Sequence, residues 1–244
     1  MYWDQITTKN FLEHIIGHYD TAILPTGSVE AHGQHCPLGT DNMAPWYFAE
    51  QLEKTYSDRI LILPPVPYGH TPDLSVWAGT ISVSASVLQQ YVAEIGIGVA
   101  QWGIKNLILL NGHGGNTSAL QAAMEQIAAE NVRVVLVNWW LDFSQQILRI
   151  TTSQGHAGED ETSVMLAIAP ELVHMDDASF NPFRPRYRMK GPGINDKSLR
   201  HATTGDGRLG TKEKGEKIAA VVVQELSLLL ERLWNDDLFE RTSS

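Results

Sequence analysis

The sequence predicts an α/β fold: a single-domain α/β/α sandwich whose mostly parallel sheet is covered by helices on both faces. Two observations carry this expectation. Short apolar runs alternate with amphipathic helical patterns, the rhythm of strand-helix repeats. The run Leu107-Ile108-Leu109-Leu110 also lacks polar alternation, as a strand buried on both faces should read. At 244 residues the chain can bury one sizeable core, and we read 1–244 as one domain.

The elements are expected in this order. A strand over 22–25 precedes a helix over 43–54, and a strand over 60–64 precedes a helix over 84–102. A strand over 106–110 leads to a helix over 116–130 that Asn116 could cap, and a strand over 132–137 follows. A helix over 158–168 comes next. The last helix, 211–234, starts with Thr211 as its cap and places Ile218, Val222, Leu226, Leu229 and Leu233 at helical spacing, which we read as core. Between 174 and 210 the periodicity vanishes, and Pro182, Pro185, Pro192 and five glycines interrupt the chain. Loops beyond about 12–15 residues in a compact domain tend to be functional or disordered. This one carries Arg184, Arg186, Arg188 and Lys190, a basic cluster expected to border the site or a neighbouring subunit and to contact an anionic substrate or the acidic remainder of the protein.

Composition narrows the function. Hydrophobic residues make up 43% and charged residues 19%, as in ordinary globular proteins. A formal charge of −10 argues against nucleic-acid or anionic-membrane binding, which need a basic face. Cys36 is the sole cysteine, so no intrachain disulfide can form and an oxidising compartment is not implied. Met1-Tyr2-Trp3-Asp4-Gln5 has no export signature, and no apolar run approaches the ~20 residues of a membrane span. Cytoplasmic localisation is the expectation.

Three clusters carry chemistry. In 27–41, Glu30, His32, His35 and Asp41 are separated by glycines and a proline. Carboxylate oxygens with imidazole nitrogens suit borderline divalent ions, and glycines let near-neighbour side chains converge. Asn111-Gly112-His113-Gly114-Gly115-Asn116 follows the buried run, where the strand ends of open α/β sheets bind ligands. A phosphate loop is the competing reading and would make the protein a sugar or nucleotide binder. The segment lacks the Lys-Ser/Thr of a Walker loop and the spacing of a dinucleotide fingerprint. The third cluster is His156-Ala157-Gly158-Glu159-Asp160-Glu161. In a helix over 158–168, Glu161 shares a face with Val164, Met165 and Ile168, so a carboxylate turns inward and needs a partner. Glu159 and Asp160 are expected to point elsewhere, as acidic residues favouring a helix N-terminus. Cys36 is expected as a small apolar filler, His35 behind or at the rim of the site, and His70 at the pocket border.

Together these motifs resemble the creatininase family of metal-dependent amidohydrolases. The matches are Pro25-Thr26-Gly27-Ser28-Val29-Glu30-Ala31-His32-Gly33 with Thr40-Asp41, then 111–116, then 156–159 with Glu161-Thr162-Ser163. Weaker ones are 79–82 and 210–215. The resemblance implies an α/β fold, two divalent ions (Zn, Mn or Fe) and a homohexamer. It implies that Glu30 and His113 hold one ion, His32 the other, and Asp41 both, with His156 catalytic or in contact with the substrate. Creatininase itself carries a Tyr and a metal-binding Glu where Gly114 and Gly115 stand, and a Trp-Asp pair and a Glu where Thr152-Ser153 and Gly155 stand. Glu161 is therefore expected to complete the second ion's ligands or to deliver the leaving-group proton, the alternative being an acceptor behind the ligands that orients His32 or His113. The implied reaction is hydrolysis of a small cyclic amide, lactam or formamide by metal-activated water. Creatinine itself, a formamidopyrimidine nucleotide and a mycofactocin-type peptide are the alternatives.

Overall fold

The computed structural model describes residues 1–239 apart from 185 and 188, so Arg188 lies outside the described residues. Four strands, β1 (Thr21–Thr26), β2 (Ile60–Ile62), β3 (Asn106–Asn111) and β4 (Arg133–Asn138), form one sheet in the order β2-β1-β3-β4, with every neighbouring pair parallel. Parallel neighbours need crossover helices. Helix α1 (Thr40–Tyr56) joins β1 to β2, α2 (Ala85–Ala100) joins β2 to β3, and α3 (Thr117–Ala128) joins β3 to β4. Beyond β4, α4 (Glu159–Ile168) and α5 (Lys212–Trp234) complete the main helices.

Successive strand residues point to opposite faces, and the core divides accordingly. Ile23, Ile60, Ile62, Ile108 and Leu110 pack with Phe48 and Leu52 of α1 and with Ile218, Val222 and Leu226 of α5. Ala22, Leu24, Leu61, Leu107 and Leu109 pack with Leu88 and Val92 of α2 and with Leu120 and Ala123 of α3. The sheet therefore has helices on both faces, as expected of strands without polar alternation. Leu107 through Leu110 are fully buried.

The strand order has a functional consequence. From β1 the chain moves to β2 on one side, and later to β3 on the other. The carboxyl ends of β1 and β3 consequently diverge, leaving the crevice where open α/β sheets place ligands.

Two expectations need correction. Asn116 precedes α3 but makes no capping bond. Its amide instead donates to the Gly27 carbonyl at 2.9 Å and accepts from the His70 amide at 2.9 Å, so it ties three loops together. The stretch 174–210 is not simply coil: it contains helical turns at Met175–Asp177, Ile194–Ser198, Arg200–Ala202 and Gly207–Leu209. Turns of three to five residues are too short for periodicity to register. Buried Asn181 organises them, donating to the carbonyls of Lys197, Ser198 and Thr203. The Thr211 cap is present, accepting from the Lys214 amide at 3.3 Å.

Candidate metal centre

The segment after β1 and the start of α1 supply three of the clustered side chains. Glu30 and His32 follow the strand, and Asp41 is the second residue of α1. The backbone of Asp41 can approach the strand ends because two neighbours lack side chains. A Cβ at Gly27 would lie 2.5 Å from the Asp41 carbonyl oxygen, and one at Gly112 only 2.0 Å. Pro45, four residues on, has no N–H for that carbonyl, so the helix makes no competing demand on it. His113 comes from the loop after β3. Asn111 fixes that loop, accepting from the His113 amide at 3.1 Å and donating to its carbonyl at 2.7 Å.

Asp41 sits at the centre. Its Oδ1 is 2.9 Å from His32 Nε2, and its Oδ2 is 3.0 Å from His113 Nδ1. Glu30 Oε1 is 3.1 Å from the same His113 nitrogen, and Glu161 Oε2 is 3.5 Å from His32 Nε2. The other ring nitrogens face backbone carbonyls: His32 Nδ1 at 3.1 Å from Glu30 O, and His113 Nε2 at 3.1 Å from His70 O. A neutral imidazole that donates to the carbonyl turns a lone pair toward the carboxylates. Two acceptors facing each other require a proton or a cation between them.

The groups fit a cation. Glu30 Oε1 and Oε2 and Asp41 Oδ2 are buried without a hydrogen-bond partner among the described residues, the condition a metal relieves. Glu30, Asp41 and His113 offer donor atoms within 4.8 Å of one another, as do His32, Asp41 and Glu161. A third grouping joins Glu30, His32 and His156. Without a cation, protons serve. Burial alone would lower His32, but Asp41, Glu161 and Glu30 outweigh it and push its pKa up to about 10. The same carboxylates Asp41 and Glu30 overcome burial at His113 and hold it well above the usual range. Asp41 is driven down despite its burial by the two imidazoles. Glu161 goes the other way, up to about 8, because burial dominates.

His156 differs from the other two. Its Nε2 donates to the Ala31 carbonyl at 2.8 Å, its ring lies 4.2 Å from that of His32, and its Nδ1 is 3.6 Å from Glu30 Oε1. Burial, then repulsion from charged His32, lowers its pKa to about 4. It is a neutral base with a free Nδ1.

The structure thus brings together Glu30, His32, Asp41, His113, His156 and Glu161. It overturns the expected orientation of Glu159 and Asp160, which are both buried. Glu159 accepts from the Thr152 amide and hydroxyl and the Ser153 amide, and pairs with Lys214 at 2.7 Å. Asp160 accepts from the Gly155 amide at 3.1 Å and from Gln154 at 3.3 Å. Together they hold the loop that carries His156. Glu161 Oε2 accepts from the Ala157 amide at 2.7 Å in the same loop.

His35 lies behind the centre, 2.8 Å from Thr162 Oγ1. Burial pushes the Cys36 thiol up to about 12, so it stays protonated, as befits a filler. A Cβ at Gly115 would meet His70 O at 2.1 Å and His113 Nε2 at 2.5 Å, leaving no room for a side chain there. The centre opens into a cavity of about 1130 Å³ bordered by His70, Gly114, Trp140, Arg186 and Lys190. Part of the basic loop therefore reaches the same cavity as His113. Arg184 does not line it.

The family model Creatininase, described as creatinine amidohydrolase, matches residues 4–230. The mycofactocin precursor peptide peptidase of Mycobacterium ulcerans (strain Agy99) is 33% identical over 168 residues, 66% of this chain and 63% of that protein. The peptidase of the same name from Mycolicibacterium smegmatis (strain ATCC 700084 / mc(2)155) is 30% identical over 226 residues, covering 88% of this chain and 85% of the relative. A solved creatininase structure with Mn shares the fold at a TM-score of 0.85 with 24% identity, over 95% of this chain and 97% of that one. The chain belongs to the creatininase family of amidohydrolases.

Proposed function

We propose that the centre holds two divalent ions, of Zn, Mn or Fe, and hydrolyses the carbon–nitrogen bond of a small cyclic amide, lactam or formamide. Glu30, Asp41 and His113 would hold one ion, and His32, Asp41 and Glu161 the other. The observation that carries this reading is the convergence of buried carboxylate oxygens on imidazole nitrogens, with Glu30 Oε1 and Asp41 Oδ2 at 3.1 and 3.0 Å from His113 Nδ1. With three protein ligands each, both ions would match catalytic sites that reserve further positions for water and substrate. Bound there, such ions lower the pKa of water toward neutrality and polarise a carbonyl oxygen.

The chain's own groups do the rest. An amide anion is a poor leaving group, so the departing nitrogen needs a proton. His156 Nδ1 is uncharged at neutral pH and fixed by the Ala31 carbonyl through its other nitrogen. It takes the proton of the attacking water and passes it to the nitrogen. Asp160 and Glu159 hold the 152–156 loop so that this atom stays in place.

Creatinine is expected to be a poor substrate, because Gly114, Gly115, Thr152, Ser153 and Gly155 replace the Tyr, Trp, Asp and Glu side chains the resemblance would set around that ring, and missing polar partners cost orders of magnitude in discrimination. The mycobacterial relatives support a peptide amide as the second reading. The chain acts as one domain and as a homo-oligomer, a hexamer by resemblance, in the cytoplasm. Exposed apolar Val87 and Tyr91 on α2 support association of copies of a chain that otherwise carries a charge of −10. Among the described residues no helix is long and apolar enough to cross a membrane.

Elemental analysis after gentle purification should return two ions per chain. Less than one, with none recovered on adding Mn or Zn, contradicts the reading. A hydrolysis screen of cyclic ureas, lactams, formamides and peptides with the Mn- or Zn-loaded protein then ranks the substrates.

A further inference from the structure

The cavity is divided by charge. Its floor is carboxylate: Glu30, Asp41, Asp160 and Glu161. Among the described residues that line it, Arg186 and Lys190 are the only lysine or arginine, and both come from the roof segment after Asn181. They are not equivalent. Lys190 is paired with Asp73, whose backbone carbonyl also accepts from Asn195 at 3.1 Å, so that cation is committed to closing the roof onto the 71–77 loop. Arg186 has no carboxylate within ion-pair distance among the described residues. Its guanidinium carbon lies 5.6 Å from the centroid of the Tyr187 ring. In a chain of charge −10, a guanidinium that faces a cavity with no carboxylate beside it among the described residues is suited to receive an anion.

Size points the same way. The cavity of about 1130 Å³ exceeds the roughly 300–1000 Å³ that takes drug-sized ligands, far more than a single small ring occupies. A substrate reacting at the floor can extend to the roof.

We propose that Arg186 is a specificity-determining residue that binds an anionic group, a carboxylate or a phosphate, on the end of the substrate remote from the scissile amide. This rests on the amidohydrolase reading above. It narrows the substrate class to amides with a distal anion, and it gives the long basic loop a function. Binding involves no covalent step: the guanidinium donates N–H bonds to the anion's oxygens, while the reacting carbonyl lies over the floor.

The test uses the full-length, Mn-loaded protein and the metal-free protein in parallel. The probes are N-formyl ω-amino acids of increasing chain length, the matching N-formyl ω-aminoalkyl phosphates, and neutral N-formylalkylamines. Calorimetry reads binding, and amine release reads turnover. The expected result is about ten-fold or greater preference for an anionic series over the neutral one, lost in Arg186→Gln and partly kept in Arg186→Lys, the scale expected of a charge-assisted hydrogen bond. Lys190→Gln should reduce the preference less, because its charge is already balanced. The favoured series tells carboxylate from phosphate. Equal binding of charged and neutral probes by the wild-type protein, or a preference that survives Arg186→Gln, overturns the proposal. Turnover without anion preference would leave the hydrolase reading standing and remove this one, whereas anion-selective, Arg186-dependent binding with no turnover of any probe would do the reverse.

Discussion

His32 and His113 show how single residues report on the centre. Each ring has one nitrogen against a backbone carbonyl and the other against carboxylates, and in the metal-free protein both rings are held charged. Loading a divalent ion must therefore expel protons. The sign follows: His32 remains protonated up to about pH 10, so the apparent metal affinity should climb as pH rises across the neutral range. Calorimetric loading in two buffers of different ionisation enthalpy should give different heats, and identical heats would contradict proton release. Glu161 offers a second check. Glu161→Gln should lose one of two ions and keep the other. Retention of both at weakened affinity would instead place Glu161 behind the ligands, orienting a histidine. Its inward turn was legible because Val164, Met165 and Ile168 repeat at helical spacing from it. The burial of Glu159 and Asp160 was not. An acidic run at a helix start satisfies the helix dipole equally well in solvent, and what buries these two is a loop folded back over them from 152–155.

The elements follow the same logic of local against long-range information. Strands β1 and β3 and helices α1 to α5 were legible because each has enough residues for its apolar period to show, and their observed ends differ from expectation by a few residues. The helices Trp139–Asp142 and Ser144–Ile147 after β4 were not, since one turn has no period. The site's place at the carboxyl ends of β1 and β3 was readable from motif order. Its floor plan was not, because Gly112 and Gly27 matter through the backbone of Asp41, a contact no spacing rule encodes. That contact makes a sharp prediction. Gly112→Ala would set a methyl 2.0 Å from the Asp41 carbonyl, so the start of α1 must shift away from β3. The protein should lose metal stoichiometry, with a stability loss of about 1–3 kcal/mol typical of overpacking. Unchanged metal content in the folded variant would show that the seam tolerates movement.

At the scale of the whole molecule, the centre draws on residues from 30 to 161, more than half of the chain, and joins β1, α1, β3 and α4 at one point. A chain with one cysteine cannot form an intrachain disulfide. Ions shared among these side chains would act as its cross-links, closing loops whose entropy the unfolded chain would otherwise regain. Chelation should then do more than stop turnover. At metal a thousand-fold above its dissociation constant, removal would take away about 4 kcal/mol for each ion bound only by the folded state. The melting temperature should fall, and amide exchange should quicken first where β1 and β3 lead into the ligand loops. An unchanged melting curve in chelator would mean that the framework stands without its ions, a rigid socket and not a clasp.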